Sequence, residues 1–186
     1  NNYTIAYILS NSLKSAIVPW LSKIPSRVGY STELRGMLLS NSFKYKKHER
    51  TMVERYLHLI NKKYTTKIKP HLEVTQYHKN KAITKYKIDP TKKLIMLCPD
   101  AEFGAAKKWP LEHWIKLANL FTEKDFSVYF LGKDESINKH IEKSSYREKI
   151  TSLIGKTSLL EVVYLLALGD LAISNDSGLM HIAGAV

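Results

Sequence analysis

Cysteine is almost absent: Cys98 stands alone in 186 residues. An internal disulfide is therefore excluded, and so is any metal site built on cysteine pairs. A reducing compartment suits such a chain. Long apolar runs are also missing. The longest, Leu159 to Ile173, is interrupted by Glu161, Gly169 and Asp170, so the sequence predicts no membrane-spanning helix. No signal-peptide pattern is legible within these residues. Acidic residues are scarce in one half only. Residues 1–90 hold 17 Lys/Arg against 5 Asp/Glu, whereas residues 91–186 hold 12 of each. The excess lies between Lys44 and Lys87. A surface of that kind concentrates anionic partners, whether nucleic acid, anionic lipid or phosphorylated sugar. It is equally the mark of a biased composition, since 24 of the 29 basic residues are Lys.

What is present is an alternation of strand-like and helix-like segments. In the first half, "YTIAYIL" (3–9) has strand composition. Asn11-Ser12 offers a turn and N-cap to a helix over 13–22. A short strand is predicted at 27–30, and helical spacing recurs over 50–62. Residues 63–90 are basic and weakly periodic, and a domain boundary is placed at Asp89-Pro90. From Lys93 the rhythm sharpens. Strands are predicted at 94–98, 126–132, 150–155 and 170–174, and helices at 111–122, 136–143, 158–168 and from Gly178. Ser158 and Glu161 form a capping box, and Pro110 suits a first helical turn. Strands alternating with helices imply a parallel, doubly wound α/β sheet. Ligands of such sheets bind beyond the carboxyl ends of the strands. The loops 99–110, 132–135, 155–158 and 174–178 are thus the places to look for chemistry.

Three of these loops carry suggestive residues. "CPDAEFGAAKKWP" sets Lys107 and Lys108 beside a strand end, where a lysine suits a phosphate or is simply a solvated loop side chain. Its Asp100-x-Glu102 pair faintly resembles a metal-binding acidic pair, but two adjacent lysines make it a poor cage. "IGKTS" (154–158) resembles the end of a phosphate-binding P-loop. It fails because Ile150 stands where the first glycine belongs, so Gly155 is a turn residue. "SNDSGLMH" (174–181) opens a helix whose first N–H groups suit an anion. Gly178 permits close approach and His181 adds a donor. Asp176 accepts from a hydroxyl or caps the helix. A capped helix with nothing bound fits the pattern equally well. No nucleophile triad or paired-His metal motif is legible.

Taken together, "PDAEFGAAKKWPLEHW", "SNDSGLMHIAGA", "LSNSLKSAIVPWLSKIPSRVGY" and "MVERYLHL" resemble the ADP-heptose–lipopolysaccharide heptosyltransferases. The wording is nearest to members that add the second heptose. The resemblance runs in order along nearly the whole chain. It implies a GT-B fold of two Rossmann-like domains, with residues 1–90 in the N-terminal, acceptor-side domain and 91–186 in the ADP-heptose-binding domain. Both would be incomplete, so the chain is expected to be an internal fragment of a longer protein. The implied reaction moves L-glycero-D-manno-heptose from ADP-heptose to the lipopolysaccharide inner core, with inversion and without metal or cofactor. It would take place at the cytoplasmic face of the inner membrane, where the protein would be peripheral.

Carried over by position, Lys107 would hold the leaving diphosphate and Asp176 would meet heptose hydroxyls. Gly178 and His181 would cradle the phosphates, and Ser177 would belong to the same donor site. Asp134 or Glu135 would contact the ribose, and Thr157 would border the adenosine. Lys14 and Arg27 would face the acceptor. The family's general base would precede this chain. Alternatives are a sister transferase adding the first heptose, a non-catalytic remnant, and a basic RNA-binding module. Tyr45, Tyr56, Tyr64, Tyr77 and Tyr86 interleave with lysines as base stacking would require, but no recognised RNA motif occurs and no nucleic-acid partner is expected.

Overall fold

The computed structural model describes residues 3–45, 51–60, 69–102 and 104–186. Much of the basic stretch and Tyr64 lie outside them. The chain is α/β with two parallel sheets, in compact units of residues 1–70 and 71–186. The division falls at Pro70 rather than at the expected Asp89-Pro90.

In the first unit, strands β1 (Ile5–Ile8), β2 (Ser26–Ser31) and β3 (Asn41–Lys44) pair in that order, all parallel. Helix α1 (Leu13–Leu21) covers one face, where Ala16 packs with Ile8 and Leu39. Helix α2 (Met52–Leu59) covers the other, where Leu59 packs with Val28 and Tyr30. Ser12 occupies the N-cap position of α1 but makes no side-chain cap. The first amide, of Leu13, donates instead to Glu33 Oε2 at 2.9 Å. A capping box unforeseen in the sequence starts α2. Glu54 N–H donates to Thr51 Oγ1, and Thr51 N–H to Glu54 Oε2, at 3.3 and 2.7 Å.

Arg35 is fully buried beneath the loop that follows β1. Its guanidinium donates to the carbonyls of Tyr30 (2.7 Å), Ser10 and Ser12 and to Ser15 Oγ (3.0 Å). Gly29 gives it room, because a Cβ there would lie 3.4 Å from Nη2 and 3.3 Å from the Ile8 carbonyl.

In the second unit, strands β4 (Leu94–Cys98), β5 (Ser127–Phe130), β6 (Ile150–Ser152) and β7 (Leu171–Ser174) lie in the order β6-β5-β4-β7, all parallel. β4 is buried throughout, as a central parallel strand with both faces covered must be. Its alternate side chains enter different cores. Ile95 and Leu97 meet Trp114 and Ala118 of α4 (Leu111–Glu123) and Ile141 of α5 (Asn138–Glu142). Leu94, Met96 and Cys98 meet the other layer. That layer is made of α3 (Gln76–Tyr86), α6 (Leu159–Leu166) and α7 (Gly178–Ala183). Helices thus cover both faces, as the predicted double winding requires.

The unpredicted α3 joins the second unit by packing on α6, with His78 stacked on Tyr164 at 4.6 Å. The chain runs β4, β5, β6 toward one edge, then crosses back to place β7 on the far side of β4. That reversal opens a crevice between the carboxyl ends of β4 and β7.

The predicted capping box on α6 is present. Glu161 N–H donates to Ser158 Oγ at 3.3 Å, and Ser158 N–H to Glu161 Oε2 at 2.9 Å. Glu161 also pairs with Lys85 of α3. Lys85, then the Ser158 donors, hold the Glu161 carboxyl down to about 2 from its ordinary 4.5. A lowered acid strengthens the fold above its unfolded pKa and loses that contribution as pH falls through the folded one. The wild-type protein is therefore expected to lose resistance to urea more steeply between about pH 4.5 and 2 than Glu161→Gln does. Parallel profiles in equilibrium unfolding would show that this cap does not couple α6 to the acid limb.

Candidate functional site

The loop from Pro99 to Pro110 rises from the end of β4 and returns into α4. Asn175, at the end of β7, holds both of its feet. The Asn175 side chain is buried. Its Nδ2 donates to the Pro99 carbonyl, and its Oδ1 accepts from Trp109 N–H at 3.3 Å. Asn175 N–H donates to the Cys98 carbonyl at 3.2 Å. Trp109 then meets the buried Trp114 edge to face at 5.2 Å, which seats the returning foot on α4.

Between these feet the loop projects its charged residues. Lys107, in a single 3₁₀ turn (Ala105–Lys107), reaches toward β7 and places Nζ 2.6 Å from Asp176 Oδ2. Lys108 reaches the other way, to Asp134 Oδ2 at 3.1 Å in the loop after β5. Lys107 first, and His181 in smaller part, hold the Asp176 carboxyl below the usual carboxylate range. His181 sits one turn into α7 and is exposed. Ser177 is the N-cap residue of α7 but makes no side-chain cap, and its hydroxyl lies 3.2 Å from that of Ser174. A Cβ on Gly178 would meet nothing within 4 Å, so no protein neighbour requires glycine there. Asp176 does not cap this helix; it faces Lys107.

The neighbouring loops close the same end of the sheet. Gly155 has φ +70°, which bears out the turn reading of "IGKTS", and its N–H donates to the Gly132 carbonyl at 2.9 Å. Glu135 lies over it: a Cβ on Gly155 would fall 2.9 Å from Glu135 Oε1. Thr157 follows in the turn before α6 and is half-buried. Asp100 is turned to structural work, accepting from the N–H groups of Lys133 and Asp134. Among the described residues no group of three or more His, Cys, Asp or Glu is placed to hold a metal ion. Cys98 is buried at the end of β4, where desolvation pushes its thiol up to about 12. It is therefore no nucleophile at neutral pH.

The structure thus gathers Lys107, Asp134, Glu135, Thr157, Asp176 and Ser177 on the loops, and Gly178 and His181 in α7, at the carboxyl ends of one sheet. Lys14 and Arg27 belong to the first unit. Lys14 is exposed in the first turn of α1. Arg27 is spent on its own unit, donating to the carbonyls of Leu38 (2.7 Å), Ile24 and Pro25. It ties β2 to the turns beside it. Motif reading gave Asn175 no role, and it named Lys108 only as a loop lysine beside Lys107. The signal for Asn175 was its place directly after the last strand.

The sequence profile described as "Glycosyltransferase family 9 (heptosyltransferase)" matches residues 1–186. The chain belongs to glycosyltransferase family 9. It is 37% identical over 200 residues to lipooligosaccharide heptosyltransferase 2 of Haemophilus influenzae, covering 99% of this chain and 58% of that protein. It is 34% identical to lipopolysaccharide heptosyltransferase 2 of Escherichia coli, over 99% of this chain and 57% of the relative. The solved structure of E. coli ADP-heptose LPS heptosyltransferase II superposes with a TM-score of 0.82 at 32% identity, over 97% of this chain and 59% of that one. The chain therefore spans a little under three fifths of the family 9 relatives it matches.

The Asn175 carboxamide is the mechanical element of this family 9 site. Asn175→Ala is expected to lower the unfolding free energy by about 1–3 kcal/mol, because the buried Pro99 carbonyl and the part-buried Trp109 N–H lose their partner. A denaturation curve superimposable on wild type would show that the loop stands without it.

Proposed function

We propose that the protein is a lipopolysaccharide heptosyltransferase that moves L-glycero-D-manno-heptose from ADP-heptose to the inner core, as the second heptose and with inversion. The two-domain GT-B arrangement is part of this reading. The observation that carries it is the placement of Lys107 opposite Asp176 at the switch point of a family 9 chain. The names of the relatives support the donor and the acceptor class.

In the reaction an acceptor hydroxyl attacks the anomeric carbon. The bond to the diphosphate breaks, and negative charge collects on the departing phosphate oxygens. Lys107 is the cation for that charge, since its ammonium is exposed and held by an equally exposed carboxylate. Such an exposed pair contributes little to stability, so a diphosphate of higher charge displaces it readily. Asp176, released and ionised, accepts from heptose hydroxyls. The free amides around Ser177 and Gly178, with His181, meet the phosphates. Asp134 or Glu135 takes the ribose, and Thr157 borders the adenosine. Electrostatic stabilisation of a leaving group needs no metal when fixed cations supply it. The proton of the acceptor hydroxyl goes to a base that is not assigned among residues 1–186. On the acceptor side Lys14 remains as a cation.

Among the described residues no helix is long and apolar enough to cross a membrane. In this reading the protein works at the cytoplasmic face of the inner membrane as a peripheral enzyme. The basic excess of the first half suits an anionic glycolipid and its surface.

In the full-length protein, Lys107→Ala is expected to cut turnover by about 10²–10³, the usual cost of removing one charge-stabilising donor. A change of less than about threefold in transfer assays would remove Lys107 from that step. His181→Ala is expected to weaken ADP binding in calorimetry; unchanged affinity would leave it a surface histidine. Transfer only to acceptors lacking any heptose would reassign the protein to the enzymes that add the first.

A further inference from the structure

Lys107 and Lys108 are consecutive, yet their ammonium groups serve the two different loops that flank their own. Lys107 answers Asp176 after β7, and Lys108 answers Asp134 after β5. The two carboxylates are held differently. Asp134 is gripped twice by the β4 loop. The foot of that loop supplies Asp100, whose carboxylate accepts from the N–H groups of Lys133 and Asp134. The close approach depends on Gly132, where a Cβ would fall 2.6 Å from Asp100 Oδ2. The far side of the loop supplies Lys108, which holds Asp134 Oδ2. The remaining oxygen, Oδ1, accepts from Ser136 N–H at 3.1 Å. Backbone and side chain of Asp134 are thus both set before any ligand arrives.

A carboxylate has about four acceptor positions, and these donors do not fill them. The Asp134 side chain is 45% exposed, so the unused positions are open to a ligand. Two adjacent acceptor oxygens held in one orientation match two adjacent hydroxyls. Ser136 and then Lys108 hold the group below the usual carboxylate range, which keeps it an acceptor at neutral pH.

We propose that Lys108 is a positioning residue that orients Asp134 to accept the vicinal hydroxyls of a nucleoside diphosphate's ribose. It thereby selects a ribonucleotide donor over a deoxyribonucleotide. The inference rests on the donor reading above and adds to it a residue that does not itself touch the nucleotide. Lys107 serves the diphosphate and Lys108 serves the sugar of the nucleotide. One short loop divides the donor between its two neighbours.

The test is calorimetry on the full-length protein with ADP, 2′-deoxy-ADP and pyrophosphate. Lys108→Met is expected to weaken ADP binding about fivefold, as loss of one exposed ion pair allows. It should change 2′-deoxy-ADP less than about twofold and leave pyrophosphate unaffected. Lys108→Arg should restore ADP binding, and Lys108→Met should add nothing on an Asp134→Asn background. Equal losses for all three ligands would show that Lys108 binds phosphate directly and would overturn the inference. So would no loss at all. Wild-type protein that binds none of the three would instead bring down the donor reading, and this inference with it.

Discussion

One buried carboxamide holds the candidate site together. Where a parallel sheet reverses its strand order, two neighbouring loops leave in opposite directions and their backbone groups face each other across a crevice. Those groups need partners once water is excluded. Asn175 supplies both kinds from one side chain, donating to Pro99 and accepting from Trp109. An aspartate in its place would accept but not donate. Because the two contacts are the two feet of the 99–110 loop, a single residue closes that loop at its base. The positions of Asp100, Lys107 and Lys108 all follow from this closure.

The site therefore has a stiff base and exchangeable tips. At the base the bonds are buried or part-buried, and breaking the buried one strands a backbone group at a cost of about 1–3 kcal/mol. At the tips the ion pairs of Lys107 and Lys108 are near half exposed. Pairs of that kind contribute little to stability. The same weakness fits Lys107 to trade one anion for another, while Lys108 stays on Asp134. A ligand can take Lys107 without dismantling the loop that carries it. A fully buried Lys107–Asp176 pair would be a poor phosphate site, since its partners could be separated only by stranding a charge.

The second unit was legible because its signals are local. "LIMLC" is apolar at every position, as a strand buried on both faces must be, and Ser158 with Glu161 marks a helix start within four residues. β3 and α3 were not legible. "NSFK" offers one apolar side chain at which to read a period. α3 buries Ala82 and Ile83 but completes its face by stacking His78 on Tyr164, a contact invisible to a pattern of aliphatic residues. That missed helix also displaced the boundary, because the weakly periodic segment that looked like a linker packs on α6. Sequence shows Arg27 as a cation, but only the fold shows its Nε and Nη1 donating to the carbonyls of Leu38, Ile24 and Pro25.

The two units solve one problem with different chemistry. The loop after β1 turns the carbonyls of Ser10 and Ser12 inward, and the end of β2 adds that of Tyr30. Arg35 collects all three beneath the start of α1. Asn175 does the corresponding work after β7. The charged solution is the more demanding. Burial lowers the Arg35 pKa while Glu33 raises it, and Glu33 also binds the first amide of α1. A guanidinium needs such a neighbour when it leaves water, whereas a neutral carboxamide does not. Glu33 is thereby tied to both the arginine and the helix, so the start of α1, which carries Lys14, is fixed by electrostatics rather than by a side-chain cap.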